Sequence, residues 1–146
     1  MSEQVHYEDV DTGDAVPVLT VTVDETQMFF FSAATYNGHR IHYDKEYTLT
    51  EGYHDVIVHG PLRGAFLSQL LTRWIGEEGT LKKLLYTNRD IAYVNELLTC
   101  KGTVTRRWID DGQGYVECEV WVENEQGNRV TPGKATVILP RKESRV

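Results

Sequence analysis

The sequence predicts an α+β fold, with one long helix packed on a face of an antiparallel sheet. Three observations carry the prediction. A single segment, "GPLRGAFLSQLLTRWIG" (residues 60–76), repeats apolar residues at helical spacing. The chain from Leu81 onward alternates instead at strand spacing, broken by turn-forming clusters. The chain has 146 residues, 40% hydrophobic and 25% charged, which suits one globular unit (residues 1–146) with a sizeable core.

Residues 1–16 read as a polar lead-in. This stretch is acidic and has no apolar run, so it resembles neither a signal nor a transit peptide, and the expected location is cytoplasmic. Next, "PVLTVTVDE" (17–25) places Leu19, Val21 and Val23 on one face and Thr20 and Thr22 on the other, which is a strand. "TQMFFFSAATY" is short and apolar, and Thr26 can cap a helix running to about Tyr36. Residues 37–58 have no clean period and several turn formers, so they are expected to be irregular.

The long helix follows. Leu62, Phe66, Leu70 and Trp74 stand at i+4 steps with Leu67 and Leu71 beside them, a stripe wide enough to face a sheet. Pro61 is placed at the first helical residue, where its missing N–H costs nothing, and Gly76 provides a stop. Four β segments come next: "LKKLLYTNRDIAY", "TCKGTVTRRWI", "GYVECEVWVENEQGNRV" and "GKATVIL". In the third, Val116, Cys118, Val120 and Val122 share a face opposite Glu117, Glu119 and Glu123. "IDDGQG" and "ENEQGN" are hairpin-turn chemistry.

Composition excludes several classes of partner. The net charge is −7 and the only basic cluster is Arg106–Arg107, so nucleic acid is not expected. No apolar run approaches the length of a membrane span. Cys100 and Cys118 lack metal-ligand or redox spacing and read as reduced packing residues.

Chemistry concentrates in two stretches. "YNGHRIHYD" (36–44) holds His39 and His42 three residues apart. No further histidine or nearby cysteine completes a set of ligands, so neither a metal nor another cofactor is expected. Histidine is instead the side chain whose unperturbed pKa suits proton transfer at neutral pH. "VIVHGPLRGAF" (56–66) contains the start of the long helix, whose first N–H groups are unpaired and whose dipole favours negative charge. Gly60 lets a substrate approach that backbone, so a carbonyl oxygen that becomes negative during reaction is stabilised there. A tight turn before a helix accounts for "HGPL" equally well on its own.

Together, "FFSAATYNGHRIHYD" and "EGYHDVIVHGPLRGAFLSQLL" resemble the MaoC-like hydratase/dehydratases of the hotdog superfamily. The likeness is nearest to the branch of 3-hydroxyacyl-thioester dehydratases and mesaconyl-CoA-hydratase-like proteins. It extends over residues 16–139, with "VPVLTVTVDETQMFFFSA" and "NRDIAYVNE" also fitting. The resemblance implies a hotdog fold, a curved antiparallel sheet wrapped around one central helix. It implies reversible, syn addition of water to a 2-enoyl thioester of coenzyme A or acyl carrier protein. His42 matches the catalytic histidine, and Gly60 matches the residue whose N–H holds the thioester carbonyl. Against the common D-x-N-P-x-H motif, Asn37 stands at the aspartate position and His39 at the asparagine position. Asparagine does not exchange protons near neutral pH, so the mechanism leans on His42 or enlists His39; His42 is expected to activate the water and Asn37 to orient it. The resemblance also implies an obligate dimer, with itself or with a second hotdog subunit. Its acyl tunnel would run between subunits, His42 coming from one and the helix start from the other.

Arg89, His59, Pro61 and Arg63 complete the candidate substrate-binding set. Arg89 suits a coenzyme phosphate or a substrate carboxylate, or a structural pairing. Arg63, in the first helical turn, opposes the dipole, which hints at a ligand or partner carboxylate, or at nothing. His59, like Tyr43 and His54, is also read as a packing or loop residue, Ser68 as inert, and Arg40 with Asp44 as a local ion pair. Two alternatives stay open. One is a thioesterase, although no Asp or Glu lies between Gly60 and Trp74. The other is a non-catalytic hotdog subunit that completes an active partner.

Overall fold

A computed structural model describes residues 3–143. The order of elements is β1 (Ala15–Thr22), α1 (Glu25–Thr35), α2 (Lys45–Thr50), α3 (Gly60–Ile75), β2 (Thr80–Tyr86), β3 (Leu97–Asp110), β4 (Gln113–Glu123) and β5 (Arg129–Leu139). The five strands form one antiparallel sheet in the order β1-β3-β4-β5-β2. α3 packs against every strand, so the sheet wraps around it in the hotdog arrangement.

The apolar patterning of the sequence becomes the core. Leu62, Phe66, Leu67, Leu70 and Leu71 of α3 are buried against Val116, Cys118, Val120 and Val122 of β4, and Trp74 is half-buried at the rim. The two cysteines are free and buried, and burial pushes both thiols up to about 12. In β1 the buried positions are Val16 and Leu19, three apart, because a register shift between them breaks the alternation.

Several expectations need correction. The lead-in is not merely polar: Tyr7 and Val10 are buried, and Tyr7 sits in a 3₁₀ turn under the Arg107 guanidinium. Residues 1–2 lie outside the described region. α1 is capped by Asp24, whose carboxylate accepts from the Gln27 N–H at 2.8 Å, rather than by Thr26. Residues 37–58 are not wholly irregular. They hold a 3₁₀ turn (Arg40–His42) and then α2, capped by Asp44 through the Tyr47 N–H. β2 ends at Tyr86, so "TNRDIAY" is a loop and not a continued strand. Gly60 is the first residue of α3 and Pro61 the second.

β2 is an edge strand that pairs only with β5, and its Leu85 side chain is 56% exposed. Gly64 is buried beside it, where an added Cβ would overlap the Tyr86 ring.

Candidate active site

The 3₁₀ turn Arg40–His42 delivers His42 to the start of α3. His39 begins this turn, its Nδ1 accepting the Ile41 N–H at 3.3 Å, and Asn37 Oδ1 accepts the His39 N–H at 3.2 Å. Arg40 forms the expected ion pair with Asp44 at 2.7 Å, which ties the turn to the cap of α2.

His42 is only 8% exposed. Its Nδ1 lies 2.7 Å from the Ile57 carbonyl oxygen. A carbonyl only accepts, so Nδ1 carries the proton, and in the neutral ring the lone pair sits on Nε2. Burial, followed by the nearby His39, lowers the His42 pKa, and the Ile57 hydrogen bond opposes this. The ring is therefore neutral at neutral pH and presents a basic Nε2.

His59, the residue that caps α3, stacks on His42 with ring centroids 3.9 Å apart and planes at 19°. It is wholly buried and its Nε2 bonds Ser32 Oγ at 2.7 Å, while its Nδ1 has no protein partner. Burial first, and the His42 charge second, push its pKa down to about 4. A neutral His59 thus backs His42, and any charge that develops on His42 faces an uncharged ring.

His42 lines a cavity of about 290 Å³ with Phe29, Tyr43 and Val56 and the charged Glu25, Lys45 and Asp55. Phe29 and Tyr43 also line a groove of about 680 Å³ that includes Ser32 and Asn37. Phe29 and Tyr43 are exposed, so a cavity of mixed apolar and charged lining opens beside the imidazole. Gly60 begins α3 one residue after His59, and its N–H has no intrahelical acceptor.

The structure brings together His42, His59 and the helix start, with Asn37 and His39 supporting the turn. His42 meets the start of α3 of its own chain. The structure corrects two expectations. His59 has no exposed surface, so it supports His42 and does not touch substrate. Arg63 is buried, with Nη1 donating to the carbonyls of Asp90 (2.6 Å) and Val130 (3.4 Å), so it is a structural tether and not a substrate ligand. Arg89 and Pro61 are exposed and accessible. His54 stacks on Tyr93 away from this cluster. Nothing in the sequence marks Ser32, an ordinary helical serine whose partner lies 27 residues away.

The family model of hydroxyacyl-thioester dehydratase type 2 matches residues 2–94. A mesaconyl-C(4)-CoA hydratase of Chloroflexus aurantiacus is 50% identical over 52 residues, 35% of this chain and 19% of the relative. The mitochondrial hydroxyacyl-thioester dehydratase type 2 of Saccharomyces cerevisiae is 33% identical over 79 residues, 53% of this chain and 28% of the relative. The matches thus span less than a third of either relative. The R-hydratase PhaJ1 of Pseudomonas aeruginosa in its unliganded form has the same fold, with a TM-score of 0.85 at 21% identity, over 95% of this chain and 88% of that one.

Proposed function

Because the chain belongs to the hydroxyacyl-thioester dehydratase type 2 family, we propose that it is a hydro-lyase. It reversibly hydrates 2-enoyl thioesters to 3-hydroxyacyl thioesters, carried on coenzyme A or acyl carrier protein. The observation that carries this reading is the state of His42: Nδ1 protonated and held by Ile57, Nε2 free beside an open cavity, and the ring set against the start of α3.

The chemistry follows from that arrangement. His42 Nε2 takes a proton from water as the water oxygen bonds the β-carbon. The electrons of the double bond move toward the thioester carbonyl, whose oxygen gains charge at the Gly60 N–H and the helix dipole. The imidazolium then returns its proton to the α-carbon from the same face, giving syn addition. Asn37 lines the groove with its amide nitrogen available to orient water, since its oxygen already accepts from His39. Arg89 is available at the surface for a coenzyme phosphate.

A thioesterase would require a carboxylate on α3 near the carbonyl, and none lies between Gly60 and Trp74. We read residues 1–146 as a single unit that acts as a homodimer, supported by the free β2 edge with its exposed Leu85. A cytoplasmic location is the accompanying reading, supported by the two free buried cysteines and checked by cell fractionation. Among the described residues, no helix is long and apolar enough to cross a membrane.

The test is loss of enoyl absorbance with crotonyl-CoA. Wild-type kcat/KM should fall in acid through a pKa below 6.5, because burial disfavours the charged ring. Replacing a general base costs about 10²–10⁴-fold, so His42→Ala should lose at least that much while staying folded. His39→Ala should lose less, since it only braces the turn. A His42→Ala protein that hydrates at the wild-type rate would overturn the assignment.

A further inference from the structure

The loop that leaves β2 crosses in front of the start of α3, and its path is fixed from both sides. The Thr87 N–H donates to the Pro132 carbonyl at 2.9 Å, and those of Arg89 and Asp90 donate to the Val130 carbonyl at 3.0 and 3.2 Å. From the helix, buried Arg63 holds the Asp90 carbonyl at 2.6 Å. This anchoring sets the Asn88 side chain against Gly60. A Cβ added at Gly60 would overlap the Asn88 amide, lying 2.8 Å from its Cγ. Glycine at 60 is therefore what lets the amide reach the helix.

The direction of that contact matters. In a helix the Cα–Cβ bond tilts toward the N-terminus. An amide that occupies this direction at the first residue lies beside the unpaired N–H groups of the first turn. Its orientation is fixed as well. The hydroxyl of buried Thr131 donates to Asn88 Oδ1 at 3.2 Å, and Nδ2 is the amide atom nearest the Cβ position of Gly60. Among the described residues, no protein group accepts from Nδ2. The side chain is exposed, so a ligand can reach that donor.

We propose that Asn88 is a second catalytic donor to the thioester carbonyl oxygen, acting together with the Gly60 N–H. The proposal rests on the hydratase reading above. A single backbone N–H leaves the developing oxyanion with one direct donor, and Asn88 Nδ2 supplies another at a prearranged position. Thr131 and Arg63 are positioning residues, the first for the amide and the second for its loop.

Asn88→Asp keeps the size of the side chain but presents only acceptors, and Asn88→Ala removes the group. Loss of one such donor costs about 10²–10³ in kcat. With crotonyl-CoA, both variants should lose that much kcat with KM little changed, because the bond strengthens as charge develops. Thr131→Val keeps the amide but frees its rotation, and its smaller loss should also fall on kcat. A second readout needs no turnover: the infrared carbonyl stretch of ¹³C-carbonyl butyryl-CoA, which has no double bond to hydrate. Binding to wild type should lower that stretch, and Asn88→Ala should reverse part of the shift. A folded Asn88→Ala protein with wild-type kcat, or with an unchanged carbonyl stretch, overturns the proposal. A wild type that hydrates nothing yet shows the Asn88-dependent shift would overturn the hydratase reading and uphold the donor pair.

Discussion

Acid should unfold this protein in part through His59. The ring is wholly buried, and burial followed by the His42 charge holds its pKa at about 4. In the unfolded chain it titrates near 6.5. Between those values the unfolded state binds a proton that the native state does not, so stability falls as pH falls. The contribution is complete above pH 6.5 and is lost at up to about 1.4 kcal/mol per pH unit on the way to pH 4. Integrated to pH 4, the loss is about 3 kcal/mol, against a total of about 5–15 kcal/mol for a typical domain. Glu8, Asp9, Asp44 and Glu123 are also held below their ordinary values by hydrogen-bonding partners, so acid weakens the fold through them too. A paired comparison removes that background. His59→Gln offers Ser32 a polar partner but does not titrate. Urea unfolding of both proteins from pH 7.5 to pH 4 should show the wild type losing about 3 kcal/mol more than the variant. Parallel curves would refute the argument, as would a native-state NMR titration in which the His59 ring moves near pH 6.5.

Two further outcomes follow from the same geometry. Gly60→Val should push the Asn88 amide off the helix start and lower kcat, and unchanged kinetics in a folded variant would remove the oxyanion role from this turn. Light scattering should find a dimer at micromolar concentration, and mixing His42→Ala with Gly60→Val chains should restore no activity, because each chain carries both residues of its own site; recovery on mixing would show that the site is shared between chains after all.

The helix and the sheet were legible because burial writes its period locally. Val116, Cys118, Val120 and Val122 alternate and are all buried, and Leu62, Phe66 and Leu70 recur every four residues and are buried as well. Where no period had room to develop, the reading failed. α2 has six residues, too few for a stripe, and the turn that carries His42 has three. "TNRDIAY" reads as the end of a β segment, yet its backbone is held as a loop by carbonyls at 130 and 132. Arg63 followed the same logic in reverse. A cation opposing a helix dipole suggested a ligand, but its acceptors are carbonyls 27 and 67 residues away.

That distance explains what a motif does and does not convey about the site. Ser32 and Asn88 have no local signature, since their partners lie 27 and 43 residues off. The motif match selected His42, Asn37 and Gly60 because those residues stand in a recognisable local order. It said nothing about the protonation state on which a general base depends. That state is set by a carbonyl 15 residues on, at Ile57, which forces the proton onto Nδ1, and by a neutral imidazole stacked behind the ring. The residue type is a property of the segment, but which of its nitrogens is free to take a proton is a property of the fold.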